Sequence, residues 1–317
     1  MTIHQPGATD PKHFPEALVA VSSDCLLELT GPDALKFLQG QTSADFAKAA
    51  ALDVLDGCFC DVKGRVLADF LAVVASPERI LLRVSADLAA QLQAHLEKYL
   101  MFSKASLNTS ELAIYGALGT TTVGALAPIL TSDSVQPNGP QSTGFAARRA
   151  VIRADGFALR LDDARALVLT AETPNPAVPT APDDHWQAAA ITSGEARVRA
   201  NTWGKYLPQD LNYDLRGMIN FKKGCYTGQE VIARLHWRGT PKRRLYLATL
   251  PAAAVEPPDP GAPLYTEGKD NSVGSITNAI RVGESLITLI ETTEDGSRQA
   301  LRCHGLEQPL TVTESLD

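Results

Sequence analysis

Residues 70 to 100 read as a hairpin followed at once by an amphipathic helix, a pairing that confines the chain to a fold in which helices pack on antiparallel strands. The β-rich runs FLAVVA and ILLRV flank Ser76-Pro77-Glu78-Arg79, where proline presets the turn. Ser85 then stands as the cap of a helix whose apolar positions Leu88, Leu92, Leu96 and Leu100 recur every fourth residue, enough to lay one face on the sheet. A shorter helix is expected in TGPDALKFLQG (30–40), with Thr30 as N-cap and Gly40 as its stop. Near the other end, VGSITNAI and SLITLIE are separated by Gly-containing turns and predict a small antiparallel β unit from about residue 241 onward. The expected class is α+β, with residues 1–240 as the main module and 241–317 as the β unit.

Three stretches too rich in proline and polar residues for a helix or central strand are expected to be connectors: 131–143, 171–184 and 251–263. The last is the first choice for a boundary between units. A chain of 317 residues can bury a large core without disulfides or metal. The five cysteines, at 25, 58, 60, 225 and 303, form no CxxC pair, so reduced thiols are expected, with Cys58 and Cys60 as small buried residues of one strand. The 29 Lys and Arg stand against 36 Asp and Glu, a net charge of -7, which disfavours bulk nucleic-acid or anionic-membrane binding. No run approaches the roughly 18 apolar residues of a membrane helix, and the polar, Pro-interrupted start carries no leader pattern, so the expected location is the cytoplasm.

One segment departs from this acidic background. Residues 222–244 hold seven Lys or Arg (Lys222, Lys223, Arg234, Arg238, Lys242, Arg243 and Arg244) and one acid, Glu230. Thr227-Gly228-Gln229-Glu230 has the form of a capping box, so a helix is expected to start at Gly228 with its free N–H groups toward Cys225. Two preceding lysines and a helix N-terminus favour a thiolate, which makes Cys225 the candidate reactive cysteine. A structural cysteine at a tight turn is the other reading of the same spacing.

The run KGCYTGQE (223–230), with Ala233-Arg234 and Arg238-Gly239 after it, resembles the signature of YgfZ-type folate-binding proteins, relatives of the glycine-cleavage aminomethyltransferase (T-protein) associated with iron–sulfur enzyme maintenance. The resemblance extends to LTGPDALKFLQGQTSAD (29–45), CDVKGRVLADF (60–70), LEKYLMFSKA (96–105) and LPQDLN (207–212). It implies an aminomethyltransferase-like ring of α/β and ferredoxin-like units, a C-terminal antiparallel β-barrel and a central cavity. It also implies tetrahydrofolate, or a one-carbon derivative, as cofactor, iron–sulfur client or assembly proteins as partners, and a monomer. Carried over residue by residue, Cys225 is the family's reactive thiol and Trp186 a wall of the folate site, where an indole can stack on a flat pterin. Lys223, Arg234 and Arg238 would then receive the glutamyl carboxylates. Where aminomethyltransferases carry paired aspartates this chain reads Ala68-Asp69, which leaves Asp69 alone to orient folate. The acid that relatives place two positions before a glycine is Thr192 here, so the pterin contact is either weaker or supplied by another group such as Glu195, and a second folate-site tryptophan falls near Asp24, which cannot stack.

Two other functions stay open on the residues. One is aminomethyltransferase-like one-carbon transfer, which the single carboxylate disfavours. The other is a binding protein whose His236-Trp237-Arg238 docks an acidic protein or an RNA loop. No P-loop, GxGxxG, HExxH or GxSxG occurs, and no two histidines are spaced as metal ligands.

Overall fold

The computed structural model describes residues 14–126, 150–153, 156–174, 178–251 and 256–316. The expected hairpin forms from Val66–Ser76 and Arg79–Ser85, turning at Pro77-Glu78. It is the centre of a five-stranded antiparallel sheet whose order is Val54–Cys60, Val66–Ser76, Arg79–Ser85, Asp24–Thr30, Ser106–Thr109. Successive strand residues face opposite sides. Ala72, Val74, Ile80, Leu82 and Val84 therefore enter one core, while Leu71, Val73 and Leu81 enter another. Both faces are buried, which explains why these runs read as continuously apolar.

The helix Ala89–Leu100 packs Leu92 and Leu96 into the first core. Its start differs from expectation: Ala86–Leu88 forms a 3-10 turn first, and Ser85 offers no side-chain cap. The helix Ala34–Gln41 likewise has Asp33, not Thr30, at its N-cap position, and runs one residue past Gly40. Asp33 instead accepts the backbone N–H of Lys104 at 2.8 Å, tying the two helical regions together.

A second, six-stranded sheet has the order Thr180–Ala181, Ala17–Ala20, Ala113–Leu118, Arg165–Thr170, Gly156–Arg160, Val151–Arg153, with only the first pair parallel. The helix Asp183–Thr192 follows it. The third sheet is antiparallel, ordered Arg302–Cys303, Pro263–Tyr265, Gly274–Val282, Ser285–Thr292, Arg244–Pro251, Thr311–Ser315. A bridge between Leu301 and Leu310, with paired hydrogen bonds of 2.9 and 2.8 Å, joins the ends of its edge strands, so the sheet curls back on itself as the expected barrel. Along Arg244–Pro251, Leu245 and Leu247 face the first core while Tyr246, Ala248 and Leu250 fill the barrel's own.

The connectors fare differently. Residues 131–143 lie outside the described residues, as do 175–177 of the second stretch, whose end instead forms the edge strand Thr180–Ala181 and the start of the Asp183–Thr192 helix. The 251–263 stretch joins two strands of one sheet rather than two units: proline ends one strand and begins the next. Its Pro257, Pro258 and Pro260 border the cavity described below.

Candidate functional site

The first and third sheets and the Asp183–Thr192 helix border a cavity of about 370 Å³. Asp24 and Arg83 reach it from neighbouring strands of the first sheet, Trp186 and Ile191 from the helix, and Glu195 and Arg197 from the turn that follows. A second cavity of about 220 Å³ shares Glu195 and Arg197 and is reached by Asp69.

An ion network joins these groups. Arg83 Nη2 lies 2.6 Å from Asp24 Oδ2, and its Nη1 lies 3.3 Å from Glu195 Oε1. Arg197 places Nη2 3.2 Å from Asp24 Oδ1 and Nε 2.6 Å from Asp69 Oδ2. Glu195 extends the chain to Arg165 at 3.0 Å, which in turn holds Asp162 at 2.7 Å. Burial alone would raise the Glu195 carboxyl, but the Arg83, Arg165 and Arg197 guanidiniums outweigh it and hold it well below the usual carboxylate range. At Asp69 burial wins and pushes the carboxyl up, against Arg197 and the Val198 N–H at 2.7 Å. The cavity thus presents an ionised carboxylate and partly neutralised guanidiniums.

Trp186 is only 1% exposed and belongs to the second core as well as to the cavity wall. The Arg83 guanidinium carbon stands 5.7 Å from its ring centroid, a cation–π contact. Its Nε1 is buried with no acceptor among the described residues. Gly116 leaves the room that the ring occupies: a Cβ there would fall 2.2 Å from Trp186 Cε3. Gly116→Ala is expected to displace the indole and cost ~1–3 kcal/mol of stability, read by urea unfolding, with a shifted tryptophan emission. An unchanged midpoint and emission would show that the strand yields instead of the ring.

None of Lys223, Cys225, Arg234 and Arg238 lines this cavity. Lys223 turns inward, where Nζ donates to the carbonyls of Gln39, Thr42 and Ala44 at 2.9, 2.6 and 2.5 Å. These belong to the end of the Ala34–Gln41 helix and the turn after it, where a cation is favoured by free carbonyls. Burial pushes the Lys223 ammonium down to about 8. The expected capping box does not form: the helix runs Gln229–Arg238 from a left-handed Gly228 (φ 84°) without a side-chain cap. A Cβ at Gly228 would meet the Asp61 carbonyl at 2.4 Å, so this glycine brings the Cys225 segment against the turn after Val54–Cys60.

The basic segment is therefore divided. Arg243 pairs with Glu291 at 3.0 Å and Arg244 with Asp214 at 2.7 Å, both within reach of the barrel, while Arg234 and Arg238 are exposed on the helix. Cys225 is exposed, whereas Cys58 and Cys60 are buried with their sulfurs 3.7 Å apart, as the strand spacing suggested. Arg83, Arg165 and Arg197 escaped sequence reasoning. The available signal was an arginine inside a buried run: in RILLRVS, Arg83 shares strand parity with Leu81, which faces the core that holds Trp186.

No family model matches the chain. A tRNA-modifying protein YgfZ from Colwellia psychrerythraea is 31% identical over 72% of this chain and 70% of its own length. One of the same name from Vibrio vulnificus is 30% identical over 87% of this chain and 81% of its own. An uncharacterised Haemophilus influenzae protein is 27% identical over 91% and 96%. Among solved structures, the glycine cleavage system aminomethyltransferase T of Bartonella henselae superposes with a TM-score of 0.66 at 16% identity, over 96% of this chain and 87% of that one. The last likeness is one of fold.

Proposed function

The chain belongs to the YgfZ family, and on that premise we propose that it binds tetrahydrofolate, or a one-carbon derivative, and supports assembly or repair of iron–sulfur clusters in client enzymes. The name of its relatives extends the client class to enzymes that modify tRNA. The working form is a cytoplasmic monomer, and no helix among the described residues is long and apolar enough to cross a membrane.

The observation that carries the folate reading is the cavity that joins Trp186 to the Glu195 and Arg197 ion network. Its volume falls in the range of small-molecule sites. The residues fit the group: ionised Glu195 is an acceptor for the amino and ring N–H donors of a pterin, and Trp186 Nε1 is a donor in search of an acceptor. Arg83, Arg197 and Arg199 line the cavity and replace Arg234, Arg238 and Lys223 as the cations for a glutamyl carboxylate. Bound folate supplies the capacity to carry a one-carbon unit; the chain's own groups bind and orient it. Both Asp69 oxygens are engaged, one by the Val198 N–H and one by Arg197, so Asp69 does not stand ready as a base. That favours an accessory role over aminomethyl transfer.

Titration with tetrahydrofolate, read by tryptophan fluorescence, tests this reading. Trp186→Ala should weaken binding by ~1–3 kcal/mol, the range for a lost ring contact. Because Trp186 is also core, Trp186→Phe supplies the control that keeps the ring and the fold and should retain most of the affinity. Saturable binding that both variants leave unchanged would move folate out of this cavity, and no binding by the wild type would end the proposal.

A further inference from the structure

We propose that the outer face of the Gln229–Arg238 helix, with the segment leading into it, is a docking surface for a single-stranded RNA loop. This surface is separate from the cavity, and none of its residues lines it. Ile232 is fully buried and fixes the inner side of the helix. At 3.6 residues per turn, Glu230, Arg234, Trp237 and Arg238 then fall on the opposite side, and all four are exposed.

The leading segment doubles back along this helix. The Phe221 ring stacks on His236 near the helix C-terminus, with centroids 3.7 Å apart and planes 12° apart, whereas Gly228 caps the other end. Lys222 and Cys225, both exposed, therefore border the same helix. Trp237 stands edge-on to this stack, 4.5 Å and 80° from His236, and is 67% exposed. Among the described residues no acid pairs with Lys222, Arg234 or Arg238, and Glu230 is the one carboxylate on the helix.

The chemistry of the patch selects its occupant. A stable protein interface needs an apolar centre and about 1,000 Å² or more of buried surface. Here a single protruding indole is flanked by cations, which suits an unstacked base on the ring and phosphates on the guanidiniums. The negative charge of the molecule as a whole confines such contact to this patch, so a long duplex would meet repulsion beyond it. A short loop with splayed bases satisfies both constraints, and it would bring the RNA over the exposed Cys225 thiol.

Fluorescence anisotropy on the full chain decides the matter, with three probes: a labelled hairpin RNA with an unpaired loop, a fully paired duplex of equal length, and polyglutamate as stand-in for an acidic protein. The hairpin should bind at low salt and outcompete the duplex. Trp237→Ala should weaken it roughly 5- to 150-fold, the range for one lost stacked base, while Trp237→Phe keeps most of the affinity. Arg234→Gln with Arg238→Gln should lower the slope of log affinity against log salt by about 1.4, from two lost phosphate contacts. All these side chains are exposed, so thermal unfolding and tetrahydrofolate titration of the variants should match the wild type. No hairpin binding, equal binding of the duplex, or affinity indifferent to Trp237 would overturn the proposal. Polyglutamate bound more tightly than the hairpin would overturn it as well and assign the patch to an acidic protein.

Discussion

Replacing Arg197 with Met should destabilise the protein by about 3–5 kcal/mol at neutral pH, the largest effect expected of any single change in the cavity wall. The guanidinium lies within 3.2 Å of Asp24 and 2.6 Å of Asp69, and both carboxylates are buried. Deleting the cation leaves buried Asp69 with the Val198 N–H but no cation, while Asp24 keeps Arg83 at 2.6 Å, so the penalty comes from stranded charge at Asp69 more than from the lost attraction. Adding Asp69→Asn to the Met variant should recover part of the loss, because it removes the stranded carboxylate and keeps the shape.

The pH dependence gives this prediction its sign. Burial already holds the Asp69 carboxyl above its ordinary value against the opposing pull of Arg197, and removing Arg197 raises it further. Stability from such groups is fully present below the unfolded value, near 3.9, and is lost as pH rises through the folded value. The gap between wild type and variant should thus be widest near pH 7–8 and shrink toward pH 5. Glu195 runs the other way in the wild type: its carboxyl is held low, so its contribution is present above about 4.3 and is lost only as acid titrates it. Urea unfolding between pH 5 and 8 provides the measurement. A variant whose deficit is constant or grows on acidification would show that Arg197 acts by packing, not by charge.

How far the sequence could be read depended on whether a residue's role is local. The hairpin at 66–85 and the Leu92–Leu96 face were legible because their periodicity is set by near neighbours. The burial of Cys58 and Cys60 followed from one strand's alternation. The ion network was not legible, since Asp24, Asp69, Arg83, Arg165, Glu195 and Arg197 come from distant parts of the chain and meet only through strand pairing. The basic segment misled for the same reason: its charges adjoin in sequence, but packing sends Lys223 to helix carbonyls, Arg243 and Arg244 to acids, and Arg234 and Arg238 to solvent. Caps were the least reliable detail, as neither Thr30, Ser85 nor Thr227 supplies one. Thr30 and Thr227 bond instead to the side chains of Ser106 and Gln41, whereas the Ser85 hydroxyl is buried without a partner among the described residues.

Cys225→Ser should leave fold and folate affinity nearly intact yet abolish support of iron–sulfur enzymes in cells, down to the level of a strain without the protein. The segment around Cys225 is held by groups other than its sulfur. Lys223 ties it to three carbonyls, the Thr227 N–H donates to the Gly40 carbonyl at 3.3 Å, and Gly228 seats it against Asp61. An alcohol therefore keeps the shape and removes only sulfur chemistry. The case for reactivity now rests on access, not on flanking lysines. Cys225 is the exposed one of five thiols; burial pushes Cys25 up to about 11 and raises Cys303, and a hydrogen bond with Cys58 together with burial raises Cys60 well above the usual range. Iodoacetamide followed by mass spectrometry should label Cys225 first. Faster labelling of any other cysteine would refute the access argument. Full complementation by the Ser variant would refute the thiol role itself, leaving Lys223 as the residue to test: Lys223→Met strands three helix-end carbonyls, and should then disturb function where Cys225→Ser does not.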